Sequence, residues 1–237
     1  MLLNIRRVLI AAIVMLASAL TLTVLVASPN DTVQRVDDWF LARMLDVRSD
    51  PLTDLLEAVS LLGSAVVSWS LRTFVVVALL SRRRYLQLGA FAGAVVTSEL
   101  CIGPLKALID RPRPPGSLVA TGGAAYPSGH AIAIAVTAVG LVVALLPPGR
   151  RRLRWELVAT GLTFLVALSR AYLAAHWLSD VVGGSLIGGG LALGWPAALA
   201  TARARASSER TQDGDSGVSA ATAPSEPSGI SGTRRDV

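Results

Sequence analysis

The sequence contains almost no lysine, histidine or cysteine. Lys106 is the only lysine, His130 and His176 are the only histidines, and every other basic residue is an arginine. The single cysteine, Cys101, excludes an intramolecular disulfide, and in its apolar run the thiol is expected to pack as a small hydrophobe. Because lysine and histidine are so rare, the positions that they occupy are the most informative in the chain.

Charged residues are also scarce: they make up 16% of the 237 residues, against 52% hydrophobic residues. Continuous apolar runs fall at about 8–28, 57–80, 86–108, 129–147, 153–171 and 179–200. Each run is close to the ~20 residues that a helix needs to cross a bilayer, and the runs do not alternate as barrel strands would. We therefore predict an all-α, polytopic membrane protein whose six transmembrane helices form a bundle.

Arginine clusters lie between the runs and predict their orientation. They precede the first run, follow the second, separate the fourth from the fifth and follow the sixth. The positive-inside rule makes these segments and both termini cytoplasmic, so the net charge of +6 requires no nucleic-acid partner. The acidic connection at about 29–56 is expected outside. The first run is longer than the apolar core of a signal peptide and is expected to remain as an anchor.

The composition changes after residue 200. Residues 201–237 are rich in Ser, Thr, Gly, Pro and charged residues, so we predict a disordered cytoplasmic tail behind a membrane domain at 1–200. In the sixth run, the pairs Gly184/Gly188 and Gly190/Gly194 have the small-xxx-small spacing that lets membrane helices approach closely. These glycines predict helix packing rather than phosphate binding.

The rare residues belong to one pattern made of three blocks. The blocks are Lys106-x6-Arg113-Pro114, Pro127-Ser128-Gly129-His130 and Ser169-Arg170-x5-His176-x3-Asp180. All three fall at helix ends that the predicted topology places outside, where the positive-inside rule disfavours cations. The cations therefore need another reason to be there, and four helix ends on one face can line a shallow pocket.

The residue types in the blocks suit a phosphate group. Arginine pairs with phosphate oxygens through a planar fork, and lysine adds a point charge. A helix that begins at Ser128-Gly129 directs free backbone N–H groups at an anion. Asp180 lies four residues after His176 on one helical face, so its carboxylate can fix the imidazole tautomer and leave the other nitrogen free to attack. His130 can donate a proton to a leaving oxygen.

Each of these residues also has a structural explanation. A histidine can be a polar helix end, an Arg-Pro pair can terminate a helix, and a lysine can snorkel to the headgroups. Their clustering on one face favours a shared function. Two nearby positions stay open: Arg111 contacts the phosphate or neutralises Asp110, and Glu99 lines a lipid entrance or pairs with Arg72.

The three blocks resemble, in order and without substitution, the signature of the type 2 phosphatidic acid phosphatase (PAP2) superfamily of membrane lipid phosphatases. They span 106–180, and the six-span layout extends the resemblance to about 8–200. The resemblance implies that His176 attacks phosphorus and forms a phosphohistidine. It also implies that Asp180 orients His176, and that His130 protonates the leaving oxygen and later activates water.

The resemblance further implies a phosphate site made of the other signature residues. These are Lys106, Arg113, Arg170, Ser128, the Gly129 backbone and Ser169. Ser169 is expected to bond the phosphate or to hold Arg170. Neither a metal nor another cofactor is expected, because cations and helix N–H groups can stabilise the transition state, and the sequence offers no cluster of carboxylates or histidines for a metal.

The function predicted from this resemblance is a lipid phosphatase of a bacterial plasma membrane, with its active site facing outward. Its substrate would be a polyprenyl pyrophosphate of the undecaprenyl type or a phospholipid phosphate, held in the lipid bilayer. Two alternatives remain: a phosphotransferase that passes the phosphoryl group to a lipid or sugar acceptor, and a non-catalytic carrier or receptor for lipid phosphates.

Overall fold

The computed structural model describes residues 2–29 and 31–221 and confirms the predicted all-helical class. Eight helices and no strand occur in these ranges. The helices are α1 Leu2–Ala27, α2 Thr32–Asp46, α3 Asp50–Leu61, α4 Ala65–Ser81, α5 Tyr85–Ile109, α6 Gly129–Leu145, α7 Arg150–Tyr172 and α8 Leu178–Ala221. Five of the six predicted runs coincide with one helix each: α1, α5, α6, α7 and α8.

The second predicted run, 57–80, is broken into α3 and α4. Ser64 caps α4, since its Oγ accepts a hydrogen bond from the N–H of Val67 at 3.4 Å. A Cβ at Gly63 would lie 2.8 Å from the side chain of Val166 and 3.1 Å from that of His130. Glycine thus lets the break pack directly against α6 and α7, and it brings the end of α3 beside His130.

The acidic connection at 29–56 contains a helix, α2, that the apolar runs did not indicate. Val33, Asp37, Phe40 and Met44 recur along it with the spacing of one helical face. Asp37 on this face is only 1% exposed. Because α2 packs against α7 and α1, it turns a carboxylate into the helix bundle.

The centre of the bundle is α6, which packs against α4, α5 and α7. Glycines of α8 approach its backbone, because a Cβ at Gly184 would lie 2.7 Å from the carbonyl oxygen of Ser128, and one at Gly188 2.7 Å from that of Ile132. On another face of α8, a Cβ at Gly190 would lie 2.8 Å from Leu16 of α1. The predicted role of these glycines in helix packing is confirmed.

Large apolar side chains cover the outer surface of the bundle. Val14, Leu20, Val66, Phe74 and Phe164 are each more than half exposed, as expected where hydrocarbon replaces water as the solvent. In the described part of the chain, four segments are long and apolar enough to cross a bilayer: Ile5–Ala27, Asp50–Ser81, Tyr85–Ile109 and Leu178–Ser207. The protein is thus a multi-pass membrane protein, while the count of six spans and the sides of the membrane stay predictions.

The chain divides after Ala200 into two units, and the site described below lies in the first unit. In the second, α8 continues as far as Ala221, so the backbone of 201–221 is helical here although its composition predicts disorder. The rest of the predicted tail, 222–237, lies outside the described residues. The disorder of the tail and its cytoplasmic location stay predictions.

Candidate active site

Backbone hydrogen bonds join the segments that carry the second and third blocks. The N–H of Ser128, just before α6, donates to the carbonyl of Asp180 in the first turn of α8 at 3.1 Å. The N–H of His176 donates to the carbonyl of Arg170, near the end of α7, at 3.2 Å. The ends of α6, α7 and α8 that the sequence assigns to one pocket therefore meet.

His176 and Asp180 face each other beside the start of α8. Nδ1 of His176 lies 3.4 Å from Oδ2 of Asp180, which is long for a hydrogen bond, and the same oxygen accepts the N–H of Trp177 at 2.9 Å. Both side chains are buried, with exposures of 3% and 0%. A proton on Nδ1 would point at the carboxylate, and this tautomer leaves the lone pair of Nε2 free.

Arg113 lies next to Nε2 of His176, the ring nitrogen that faces away from Asp180. Its guanidinium donates to the carbonyls of Gly122, Gly123 and Ala175 at 2.8, 3.0 and 2.6 Å respectively. Its Nη1 also lies 3.3 Å from Nε2 of His176. Positive charge is thus held where the oxygens of a phosphate would come if His176 attacked its phosphorus.

Lys106 reaches the same loop from the last turn of α5. Its ammonium group donates to the carbonyl of Ala124, and Arg113 donates to this same carbonyl at 3.5 Å. Because the two cations share one acceptor, they lie within reach of one anion.

Three buried polar atoms in the site have no hydrogen-bond partner among the described residues: Nδ1 of His176, whose distance to Oδ2 of Asp180 is 3.4 Å, Oγ of Ser128 and Nε of Arg170. Arg170 is 6% exposed and donates through Nη1 to Oγ of Ser60 at 2.7 Å, while Ser128 is completely buried. An unpaired buried donor costs about 1–3 kcal/mol and is rare in folded proteins. An anion accepting from Ser128 and Arg170 would remove that penalty.

His130 and Gly129 form the first turn of α6. The charged groups that act on His130 are those of Arg170, His176 and Arg113, which places it in the same cluster. A side chain at Gly129 would meet nothing within 4 Å. The backbone at the start of α6 therefore has free space beside it for a ligand.

Ser169 is the signature residue that the structure turns away from the others. It is fully buried, and its Oγ donates to the carbonyl of Val166 at 2.7 Å, within α7. Its role in holding a phosphate or Arg170 stays a prediction.

Burial controls the protonation of His176. It lowers the pKa of this imidazole from the ordinary value of 6.5, Asp180 acts in the opposite direction, and Arg113 and Arg170 lower the pKa further. Burial also lowers the pKa of the Arg113 guanidinium, against the raising effect of Asp180. At neutral pH the imidazole of His176 is therefore uncharged and keeps a lone pair for attack.

Of the two roles that the sequence left open for Arg111, neutralising Asp110 is wrong, and contacting the phosphate stays a prediction. It pairs with Asp37 and Asp180 at 2.6 and 2.8 Å, rather than with its neighbour Asp110. The residue is 8% exposed, and it also donates to Gln34 at 2.7 Å and Ser179 at 2.6 Å.

Four polar partners around the site were not predicted from the sequence: Asp37, Gln34, Ser60 and Ser179. For Asp37 a signal was present, because a carboxylate on the apolar face of a helix must find a buried cation or donor. Ser60 and Ser179 carried no such signal, since serine occurs throughout the chain. Only the packing of α3 and α8 reveals their partners.

For Glu99, pairing with Arg72 is confirmed. Nη1 of Arg72 lies 2.7 Å from Oε1 of Glu99, and its Nε donates to Oγ1 of Thr137 at 3.0 Å. The guanidinium also lies 4.9 Å from the ring centroid of Trp69. This polar group joins α4, α5 and α6 and includes no residue of the three blocks.

No group of three His, Cys, Asp or Glu side chains that could hold a metal ion occurs in the described residues. Among the residues of the three blocks, the charged groups are one carboxylate, Asp180, and the cations Lys106, Arg113 and Arg170.

Comparison with known proteins places this geometry in a family. The sequence profile of the PAP2 superfamily matches residues 87–204, and no curated protein sequence gives a significant match. The structure is similar to that of a transmembrane PAP2-type phosphatidylglycerolphosphate phosphatase from Bacillus subtilis, with 25% identity and a TM-score of 0.66 over 78% of this chain and 93% of that chain. It shares a fold with Aquifex aeolicus LpxE, at 22% identity and a TM-score of 0.53 over 64% of this chain and 89% of that one.

The chain therefore belongs to the PAP2 superfamily. The matched segment contains all three blocks and runs from α5 into α8. Membership, together with the similarity to a membrane phosphatase, supports a membrane-bound lipid phosphatase.

Proposed function

We propose that this protein removes the terminal phosphate from a polyprenyl pyrophosphate or a phospholipid phosphate at the outer face of a bacterial plasma membrane. The reaction would use a phosphohistidine intermediate and no metal ion. One observation carries the proposal: Nε2 of the buried His176, which is unprotonated and accepts from the Arg113 guanidinium at 3.3 Å, lies in a cluster where Oγ of Ser128 and Nε of Arg170 have no partner among the described residues. A site that only bound phosphate would need the cations but not an aligned nucleophile.

In the first step, Nε2 of His176 attacks phosphorus and forms a P–N bond. The P–O bond to the lipid breaks, and His130 gives its proton to the departing oxygen. Asp180 stabilises the positive charge that develops on the imidazole. Arg113, Lys106 and Arg170, with donors at the start of α6, hold the three equatorial oxygens, whose charge grows in the transition state.

In the second step, water attacks the phosphohistidine and His130 takes up the proton of that water. The P–N bond breaks, its electron pair returns to Nε2, and inorganic phosphate leaves. The same residues thus serve both steps, and His130 ends in the protonation state from which it began.

An apolar cavity supports a lipid substrate. It has a volume of about 350 Å³ and lies between α1, α2, α6, α7 and α8. Ala171 and Leu178, close in sequence to Arg170 and His176, line one end, and Thr160 and Gly189 line it further along α7 and α8. The 11 helical steps from Leu178 to Gly189 extend about 16 Å along the helix. We propose that this cavity holds the apolar chain of the substrate.

The hydroxyl groups in the cavity are satisfied by backbone, which keeps the lining apolar. Thr160, Thr163 and Ser185 each donate to the carbonyl four residues earlier, at 2.8, 2.9 and 2.7 Å. Their remaining surface is mainly hydrocarbon. Such a lining suits an acyl or prenyl chain better than a sugar or a nucleotide.

The proposal is tested with purified protein in detergent that contains a chelator. Release of inorganic phosphate is measured from phosphatidylglycerol phosphate, phosphatidate, a polyprenyl pyrophosphate and, as a water-soluble control, p-nitrophenyl phosphate. We expect turnover of at least one lipid, unchanged by the chelator, and little turnover of the soluble ester. Loss of activity with chelator would contradict the metal-independent reaction.

The same assay separates the two alternatives. A phosphotransferase would consume the donor lipid without an equal amount of inorganic phosphate, and would do so only when an acceptor lipid or sugar is added. A carrier or receptor would bind the labelled lipid phosphate and return it unchanged.

A further inference from the structure

Two buried carboxylates, Asp37 of α2 and Asp180 of α8, share the guanidinium of Arg111. Nη2 of Arg111 lies 2.6 Å from Oδ2 of Asp37, and Nη1 lies 2.8 Å from Oδ1 of Asp180. The exposures of the three side chains are 1%, 0% and 8% for Asp37, Asp180 and Arg111 respectively. Because solvent hardly reaches these side chains, each charge depends on the other two for its stabilisation.

Ser179 closes the network. Its N–H donates to Oδ1 of Asp37 at 2.8 Å, and its Oγ donates to Oδ2 of the same residue at 2.6 Å. Asp37 therefore fixes the backbone of the residue next to Asp180. The second oxygen of Asp180, Oδ2, remains for Trp177 and His176. α2 is thus connected to the imidazole through one cation and one backbone amide.

We propose that Asp37 and Arg111 are positioning residues that set the orientation and the electrostatic field of Asp180, and through it the basicity of His176. Neither residue is a signature residue: Asp37 lies outside the three blocks, and Arg111 is one of the unspecified positions of the first block. The catalytic meaning of this inference rests on the proposed function, whereas the network itself is tested without any substrate.

The two residues act on His176 with opposite signs. The carboxylate of Asp37 favours an extra positive charge nearby, so removing it makes protonation of His176 harder. The guanidinium of Arg111 disfavours that charge and neutralises Asp180, so removing it makes protonation easier. Removing both charges together cancels most of the change. A purely structural role for α2 predicts no such pattern.

The other charged groups that face His176 stay constant in this comparison. They come from each element around it: Arg113 from the loop after α5, His130 from α6, Arg170 from α7 and Asp180 from α8. The pattern across the variants therefore isolates the contribution of Asp37 and Arg111.

The chain offers a direct measurement, because it has only two histidines. Protein with isotope-labelled histidine in detergent micelles should give two imidazole signals, and a His130→Gln variant assigns them. We expect Asp37→Asn to lower the measured pKa of His176 and Arg111→Gln to raise it, each by less than the roughly 1–3 that a charge within about 4–6 Å produces. The double variant should return close to the wild-type value.

The matched control is Asp46→Asn, which removes the same charge from an exposed position at the end of the same helix, where Asp46 pairs with Arg43 at 3.0 Å. It should leave the titration of His176 unchanged. Equal titration curves in wild type, Asp37→Asn and Arg111→Gln would overturn the proposal, and so would an effect of Asp46→Asn as large as that of Asp37→Asn.

Arg111→Gln leaves two buried carboxylates and can fail to fold. In that case Arg111→Lys, which keeps the charge but not the fork, is compared with Asp37→Asn, and the proposal then requires a lowered pKa in Asp37→Asn alone. Because the titration needs no turnover, an inactive wild-type protein would contradict the proposed phosphatase reaction and leave this result standing. An active enzyme with unchanged titrations would contradict the network alone.

Discussion

Nη1 of Arg113 lies 3.3 Å from Nε2 of His176. At this distance Nε2 must be unprotonated, because a proton on Nε2 would point at the N–H of the guanidinium and neither group could accept a hydrogen bond. Backbone carbonyls on both sides of the site hold Arg113 in this position. The proposed nucleophile and the proposed phosphate-binding guanidinium are therefore side by side before a substrate arrives, as preorganised electrostatic catalysis requires.

Removing the two histidines should have different effects. His176→Ala leaves no nitrogen to form the covalent bond, so turnover should be lost. His130→Ala should lower kcat by about 10²–10⁴, the usual contribution of a general acid or base. Rapid acid-free quenching with radiolabelled substrate should detect a phosphoenzyme in His130→Ala and none in His176→Ala. Near-wild-type turnover of either variant, with an unchanged unfolding temperature, would return that histidine to a structural role.

The site was largely predictable because its residues are rare. The one lysine and both histidines of the chain fall in a single pattern, which indicates that they share a site. The structure brings Lys106, Arg113, His176 and Asp180 together as that pattern predicts. The supporting residues were not predictable in the same way. Ser60, which holds Arg170, lies more than one hundred residues away in sequence, and only the packing of α3 against α7 connects them.

The fold was predictable where hydropathy alone decides it. Apolar runs located five helices, but they merged α3 with α4, because hydropathy continues across the break at Gly63, a residue that packs closely against Val166 and His130. They also missed α2, whose inward face carries the polar Asp37. In both places a tertiary contact overrides the local pattern.

The fall of activity on the acidic side of the pH profile should lie below pH 6.5, because burial lowers the pKa of His176 from that ordinary value. In the proposed mechanism the neutral imidazole is the reactive form, so kcat should fall only when pH drops through the lowered pKa. Stability follows the same sign: below pH 6.5 the unfolded state binds a proton that the folded His176 does not, so the free energy of unfolding decreases as pH falls. The free energy of unfolding can be measured from pH 8 to pH 5 in wild type and in His176→Gln. It should decrease more steeply with falling pH in the wild type.

Glu99→Gln should reduce stability more than activity. It leaves the buried Arg72, whose side chain is 3% exposed, without its carboxylate partner, at a cost of about 1–3 kcal/mol or more for a buried charged group. The matched control is Glu156→Gln, which breaks the Arg152–Glu156 pair near the start of α7 and should cost only about 0.3–0.5 kcal/mol. Chemical unfolding in detergent compares the two. A fall in kcat with no loss of stability would assign Glu99 to the substrate path instead.

Blocking the apolar cavity should discriminate between long and short lipids. Thr160 lines the cavity on α7, ten residues before Arg170, so Thr160→Trp should shorten the space for a chain and leave the phosphate site intact. We expect KM to rise for a long-chain phosphatidate and to stay within about twofold for a short-chain one, as for a substitution away from the chemistry. Thr160→Val, which keeps the size of the side chain, serves as the control. An equal rise in KM for both lipids would place the chain elsewhere.

The sidedness of the site can be read from a single introduced cysteine. In a Cys101→Ala background, Thr121→Cys puts a thiol at an exposed position of the loop that holds Arg113, and Ser81→Cys puts one at the exposed end of α4, beside an arginine cluster. The positive-inside rule places Ser81 in the cytoplasm and Thr121 outside. An impermeant maleimide added to intact cells should therefore label Thr121→Cys at once and Ser81→Cys only after lysis. The reverse order would put the phosphate pocket at the cytoplasmic face, and the substrate would then be a lipid phosphate of the inner leaflet.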